Sequence, residues 1–464
     1  MSPLWTSDEI VAATGGVASA DFEVSGVAFD SREIEAGHLF VAMPGTAFDG
    51  HDFVDKARTN GAVAALVSRA VDLPHVLVDD VPAALEALAK AARARIADDA
   101  VVIGVTGSVG KTSVKEALYV VAHRLARGRA HRSVKSYNNH TGVPLSLARM
   151  PRETRIGVFE MGMNHAGEIA ALTRMVRPHV ALVTAIAPAH IENLGTIEAI
   201  ADAKAEIFEG LEPGGSAIVP AASPHCERLK SAAETCGASV RTFGGENGDA
   251  VAIHTAEARR GGQLVSARLP GSELTYTVAQ RGAHWVDNSL AVLLAAQAAG
   301  SDLAVAGLAL ADMGGLAGRG ERVVLCLPGG GKALLIDESY NANPASMEAT
   351  LKSLGKEKAA RRIVVLGDMK ELGEHSPAMH RALAGPVEAA KVELVILVGE
   401  EMRGLAEELD ARGIEAVHCA DVEAARGMLE DRMGDGDAIL IKASNSMGLG
   451  KLVADVKRGA PCST

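Results

Sequence analysis

At 464 residues the chain exceeds what one ordinary hydrophobic core supports, so two or three domains are expected. Its 46 Lys plus Arg against 58 Asp plus Glu leave a net charge of −12. That balance excludes a general electrostatic attraction to nucleic acid or anionic lipid and requires any polyanionic ligand to be held by local sites. The N-terminus, MSPLWTSDEIVAATGG, has no basic flank before an apolar core, and no stretch reaches about eighteen uncharged apolar residues, so neither export nor membrane insertion is expected. Cys226, Cys236, Cys326, Cys419 and Cys462 form no CxxC pair or disulfide framework, which suits a reducing, cytoplasmic setting.

In chain order, VSGVAFDSR, GHLFVAMPG, GAVAALVS and HVLVDD read as short strands between turn residues, and predict a small α/β domain over residues 1–82. An alanine-rich helical stretch over residues 82–98 leads into VVIGVT, RIGVFEMG, HVALVTAI and SAIVP, strand candidates alternating with helices from about Thr112, Gly167 and Ile197. That alternation predicts a parallel α/β sheet within a domain over residues 83–316. From Val251 to Val278 the pattern turns to short β pieces, and DNSLAVLLAAQAAG (287–300) reads as a buried helix ending at Gly300. A second boundary is expected near residues 314–322. Beyond it ALLIDESY, RRIVVLGDM, ELVILVG and DAILIKAS predict a doubly wound, Rossmann-like domain over residues 317–464. The fold class is therefore three-domain α/β.

The chemistry concentrates in VVIGVTGSVGKTS (101–113). Gly104, Gly107 and Gly110 space it as GxxGxxGKT rather than as the strict P-loop, since Val105 stands where that pattern has its first glycine. The physics is that of a nucleotide loop: Gly107, Ser108 and Gly110 let backbone N–H groups close on phosphate, Lys111 adds charge, and Thr112 and Ser113 open the helix, with Thr112 able to ligate magnesium. A phosphoryl-transfer site also needs an acid at the carboxyl end of a neighbouring strand. Glu160 closes RIGVFEMG in that position, and His190 occupies the equivalent place after HVALVTAIAPA. Lys204 in ADAKAEIF, taken alone, reads as a solvated helical lysine.

These stretches, in this order, resemble the Mur ligases, ATP-dependent amide-forming enzymes that extend the peptide of the cell-wall precursor, and the resemblance runs over nearly the whole chain. It implies ATP as the nucleotide, held by the loop residues above, and magnesium on Thr112, Glu160 and His190. It implies that Lys204 is carbamylated and adds an anionic ligand, and that Lys111, Glu160, His190 and Lys204 are catalytic. Within the family, three segments are similar to the branch that joins D-alanyl-D-alanine to UDP-N-acetylmuramoyl-tripeptide: FDSREIEAGHLFVAMPGTAFDGHDF (29–53), KSYNNHTGVPLSL (135–147) and, most discriminating, IDESYNANPASM (336–347). The resemblance implies substrate contacts from Ser31, Arg32, Asn138, Asn139, Tyr340, Asn341, Asn343 and Ser346. RGAHWVDNSLA (281–291), AGRGER and IDES imply nucleotide contacts from His284, Asn288, Arg319 and Asp337.

Two positions depart from the family pattern. Trp285 replaces the usual asparagine, and Ala443 in ILIKASNSMG stands where glycine is usual, from which a small change in loop geometry is expected because alanine tolerates positive φ poorly. Lys442 and Ser444 belong to the same segment. A monomer that closes over its intermediate, with hinges near residues 80–100 and 314–322, is expected. The alternatives are a sister ligase that adds one amino acid, a folate polyglutamylating relative, and a P-loop switch with no amide chemistry. Against the switch, no NKxD-type guanine-reading tetrad is present.

Overall fold

The computed structural model describes residues 3–45, 48–259 and 261–460, so Cys462 and the pair Thr46–Ala47 lie outside the described residues. Three parallel-rich sheets follow one another along the chain. The first orders Val17–Ala18, His75–Leu77, Ala62–Val67, His38–Val41 and Gly26–Ala28. Its Val17–Ala18 edge is antiparallel. The helix Val81–Ala94, capped by Asp80 through the backbone N–H of Ala83 and carrying Pro82 in its first turn, follows directly. Leu85 and Leu88 of this helix pack into the first core while Ala89 packs into the second. Residue 82 therefore falls on an element that both cores share.

The central sheet has six parallel strands in the order Ser239–Phe243, Ser216–Pro220, Val180–Val183, Val101–Thr106, Ile156–Glu160, Ala130–Arg132. Both faces are covered, as a parallel sheet requires. The helices Lys111–Leu125 and Ala283–Ala298 bury one face through Val114, Leu118, Leu290 and Leu294, and Phe159, Ile169, Phe208 and Leu229 line the other. The β pieces expected after Val251 form a three-stranded antiparallel sheet, Val251–Glu257, Gln263–Leu269 and Ser272–Val278. It joins the same core through Val265 and Tyr276, whose hydroxyl lies 2.7 Å from Ser289 Oγ.

Beyond the linker, six strands run Glu321–Cys326, Lys332–Glu338, Ala438–Lys442, Arg362–Gly367, Leu394–Val398, Ala416–Cys419, with only the first antiparallel. Among the described residues no helix is long and apolar enough to cross a membrane.

Two expectations need correction. The helix placed from Asp287 begins at Ala283, because Gly282, at φ 109°, supplies the break that ends the preceding segment. Ala443 is absent from the residues at positive φ, so the expected loop strain does not arise. Its buried methyl instead fills space left open by the glycine on the neighbouring strand, since a Cβ at Gly367 would meet Ala443 Cβ at 2.8 Å.

Candidate active site

The strand Val101–Thr106 sits at the point where the central sheet changes direction, with Ile156–Glu160 on one side and Val180–Val183 on the other. In such sheets ligands bind outside the carboxyl ends of the strands at this point. The register makes the three ends level: Glu160 lies beside Val105 and Val183 beside Thr106. A cavity of 690 Å³ opens there, walled on one side by residues 108–113 and on the other by Arg319, Glu338, Tyr340, Asn341 and Lys442 of the linker and third sheet.

Gly107 and Gly110 have φ of 143° and 84°, a region favouring glycine. At Gly107 a Cβ would sit 2.0 Å from Thr184 Oγ1, so no larger residue fits. The helix Lys111–Leu125 has no side-chain cap, which leaves its first N–H groups and the positive end of its dipole for a ligand. The loop is braced from outside: Ser108 Oγ donates to Ala187 O at 2.9 Å and Thr184 Oγ1 donates to Val109 O at 2.5 Å. Lys111 Nζ donates to Gly107 O at 2.8 Å. Burial pushes its ammonium below the usual lysine range, against the pull of Glu160.

Glu160 is buried, 1% exposed, and both its oxygens are engaged. Thr112 Oγ1 donates to Oε2 at 2.8 Å and Asn138 Nδ2 donates to Oε1 at 2.7 Å. Ser136 Oγ stands 3.3 Å from Thr112 Oγ1 and accepts from the Arg319 guanidinium at 3.4 Å, tying the linker to the phosphate loop. His190 lines the same cleft from a left-handed position, φ 61°, and its Nδ1 is 2.7 Å from Glu371 Oε2, an ion-pair distance without hydrogen-bond geometry. His190 and, to a lesser degree, Lys111 hold the Glu371 carboxyl below its usual range although burial opposes them.

Lys204 is fully buried and its Nζ has no hydrogen-bond partner, which corrects its reading as a solvated lysine. Burial first, and then the nearby charge of Lys111, drives its amine well below the ordinary lysine range. A charged ammonium could not remain there unpaired.

Among the described residues no cluster of three or more His, Cys, Asp or Glu is poised for a metal. The chemistry of the donor set nevertheless fits magnesium: a hydroxyl and a carboxylate in contact at a helix N-terminus, with the His190 imidazole lining the same cleft.

The other residues expected at the site divide. Ser113, Asn139, Asn288 and His284 line the cleft. Asn139 is occupied in a turn, its Oδ1 accepting from Gly142 N at 2.9 Å. Asn288 lies against the loop, its Oδ1 3.4 Å from where a Cβ on Gly110 would be. Burial brings the His284 imidazole down to about 4. The Arg319 guanidinium stacks on the Tyr340 ring at 4.0 Å. Asn343 and Ser346 form a capping box at the start of the helix Pro344–Leu354, which aims that helix end at the cavity.

Asp337 does not reach the cavity: its carboxylate accepts from Gly318 N at 3.0 Å and from Ser339 Oγ at 2.6 Å and so shapes the linker. Ser31 and Arg32 lie apart from it. Ser31 O accepts from Asn60 Nδ2 at 2.8 Å, and the Arg32 side chain, 78% exposed, pairs with Asp30 and holds that carboxyl down to about 2.

Trp285 is buried on the cleft's helix. Lys442 Nζ donates to Asn341 O at 2.8 Å and lies 3.5 Å from Glu338. Sequence reasoning missed Ser136, Thr184, Glu338 and Glu371. The first three adjoin singled-out motifs and were legible in principle; Glu371, in GDMKELG, carried no signal.

Comparison with known proteins agrees with this geometry. Residues 23–113 match the Mur ligase family catalytic domain, 105–296 the Mur ligase middle domain and 318–445 the Mur ligase glutamate ligase domain. The chain belongs to the Mur ligase family. It is 33% identical to the UDP-N-acetylmuramoyl-tripeptide--D-alanyl-D-alanine ligase of Bacillus subtilis, over 95% of this chain and 96% of that one. The crystal structure of MurF from Acinetobacter baumannii superposes with a TM-score of 0.84 at 28% identity, covering 98% of this chain and 99% of the other. MurF from Thermotoga maritima, solved in complex with ADP, gives 0.75 at 27% identity over 94% and 97%. As a Mur ligase the protein is an ATP-dependent ligase with the three-domain α/β architecture of that family.

Proposed function

We propose that this protein joins D-alanyl-D-alanine to the C-terminal carboxylate of UDP-N-acetylmuramoyl-tripeptide, consuming ATP and giving the UDP-N-acetylmuramoyl-pentapeptide, ADP and phosphate. The observation that carries the reading is one cleft that places an uncapped phosphate-loop helix opposite the IDESYNANPASM segment, in a chain similar over 95% of its length to a ligase of that name. Two steps follow. A carboxylate oxygen of the tripeptide attacks the γ-phosphorus of ATP, ADP leaves, and an acyl phosphate forms. The neutral amine of the dipeptide then attacks the acyl carbon, loses a proton, and expels inorganic phosphate, a far better leaving group than hydroxide.

The chain's residues serve these steps by position and charge. The N–H groups of residues 107–113 and the Lys111 ammonium bind the β and γ phosphates. Asn138 holds Glu160 while Thr112 presents its hydroxyl to the same carboxylate. Arg319, fixed on Tyr340 and reaching Ser136, sits where negative charge builds as the acyl phosphate forms. Thr112, Glu160, His190 and a carbamylated Lys204 would hold magnesium, which when bound neutralises phosphate oxygens. A deprotonated, unpartnered Lys204 amine is the form that adds carbon dioxide, and its product would add a second negative charge to that of Glu160. Ser31 and Arg32, on the N-terminal domain, are assigned to the uridine diphosphate of the substrate, and His284 and Asn288 to the nucleoside of ATP.

The deciding experiment measures phosphate release from ATP with the tripeptide substrate, with D-alanyl-D-alanine present or replaced by single amino acids. Release that needs the dipeptide, with a pentapeptide product by mass, is the expected result. Release that follows a single amino acid would assign a sister ligase instead, and nucleotide binding without release a switch. Lys204→Ala is expected to lose most activity without rescue by bicarbonate, and ¹³C-bicarbonate should give the native protein a carbamate resonance that the variant lacks. Full turnover by the variant would remove the carbamate from the mechanism.

A further inference from the structure

The C-terminal domain contributes to the magnesium side of the cleft through a residue that no motif singled out. Glu371 stands in the loop after the strand Arg362–Gly367, and its carboxylate reaches across to His190 on the central domain, 2.7 Å from Nδ1. Both residues hold left-handed backbone, φ 67° and 61°, a conformation uncommon for non-glycine side chains and kept only where surroundings impose it. Those surroundings are specific. On one side Lys370 N donates to Ser444 Oγ at 2.9 Å and Met369 N to His380 Nε2 at 2.9 Å. On the other, Leu372 is buried and a Cβ at Gly373 would come within 3.1 Å of Glu192, which lies in the turn of helix, Ile191–Leu194, that His190 precedes. The loop is thus pinned to its own sheet and pressed against the central domain, with Glu371 aimed at the imidazole.

Building on the reading above, we propose that Glu371 is a positioning residue for His190. Seating the C-terminal domain brings the carboxylate to ion-pair distance of Nδ1; closing that pair into a hydrogen bond fixes the ring and leaves Nε2 for the metal. Imidazole ligands that carry a carboxylate on the second nitrogen are oriented by it and made more basic, and losing that partner typically weakens metal binding or activity by about 10- to 100-fold. The particular consequence here is that the metal site is complete only when the third domain is in place. An open enzyme then holds the metal weakly, and the closed one holds it ready for transfer.

The test uses the full-length protein with manganese as the probe, its binding followed by electron paramagnetic resonance in the presence of ADP. Glu371→Gln keeps the shape and removes the charge, Glu371→Asp retains the charge on a shorter arm, and Glu374→Gln, an exposed change in the same loop, serves as a control. Glu371→Gln should raise the dissociation constant for manganese by about 10- to 100-fold and lower kcat, with the KM for ATP at saturating metal little changed. Glu371→Asp should recover part of both, Glu374→Gln should match the native protein, and thermal unfolding should be alike in all. Native manganese affinity in Glu371→Gln overturns the proposal, whether activity is kept or lost, because loss of activity alone would make Glu371 a docking contact. If the native protein does not ligate the dipeptide, the reaction assignment fails, while the manganese measurement still decides the role of Glu371.

Discussion

The wall of the cleft formed by the central sheet is centred on one local element: Gly107, Gly110, Lys111 and Thr112 occupy a single strand-to-helix turn, flanked by Glu160 at the end of one neighbouring strand and His190 in the loop that follows the other, Val180–Val183. The wall formed by the C-terminal sheet is assembled from four separated segments, with Arg319 in the linker, Tyr340 and Asn341 after one strand, Lys442 at the end of another and Glu371 in a loop. The difference teaches where function tolerates movement. A phosphate loop works through backbone N–H groups and a helix end, whose geometry is local and rigid, whereas the second wall is held through side chains meeting across domains. The first wall is suited to binding the nucleotide, and the second to arriving once substrates are in place.

Three substitutions sharpen or break this comparison. Lys111→Ala strikes the local wall at its charge and should lower kcat by about 10³-fold, measured by phosphate release. A loss of only a few-fold would mean that the backbone alone holds the phosphates. Asn138→Ala frees one oxygen of Glu160 without touching the loop, and a fall in activity or metal affinity of about 10- to 100-fold is expected. Equal metal titrations for variant and native protein would leave Asn138 to the substrate instead. On the second wall, Asn343→Ala removes the cap of the helix Pro344–Leu354 and should cost about 1 kcal/mol of stability, seen as a lower denaturation midpoint. If turnover falls far more than stability, the asparagine contacts substrate as well as capping its helix.

Much of the fold was legible because each signal was local. The runs VVIGVT, SAIVP and ELVILVG are apolar on both faces, as buried parallel strands must be, and they form strands at Val101–Thr106, Ser216–Pro220 and Leu394–Val398. The strands that escaped, Ala130–Arg132, Ser239–Phe243, Glu321–Cys326 and Ala416–Cys419, lie at sheet edges, where half-exposed, mixed sequences carry no continuous apolar run. At the site the same division holds. Lys111 and Thr112 were readable from glycine spacing, whereas Lys204 looked like a solvated lysine because burial is not a property of the residues beside it.

By itself, then, the sequence determined what depends on neighbours in the chain: the phosphate turn, the alternation of strand and helix, and the carboxylate that ends the strand Ile156–Glu160. Tertiary structure alone decided that Lys204 is sealed without a partner, that Asp337 turns away to hold Gly318, that Asn343 caps a helix, and that Glu371 meets His190 across two domains. The reason is physical. Backbone preference and periodicity act within a few residues, whereas desolvation and charge pairing depend on which distant surfaces packing brings into contact.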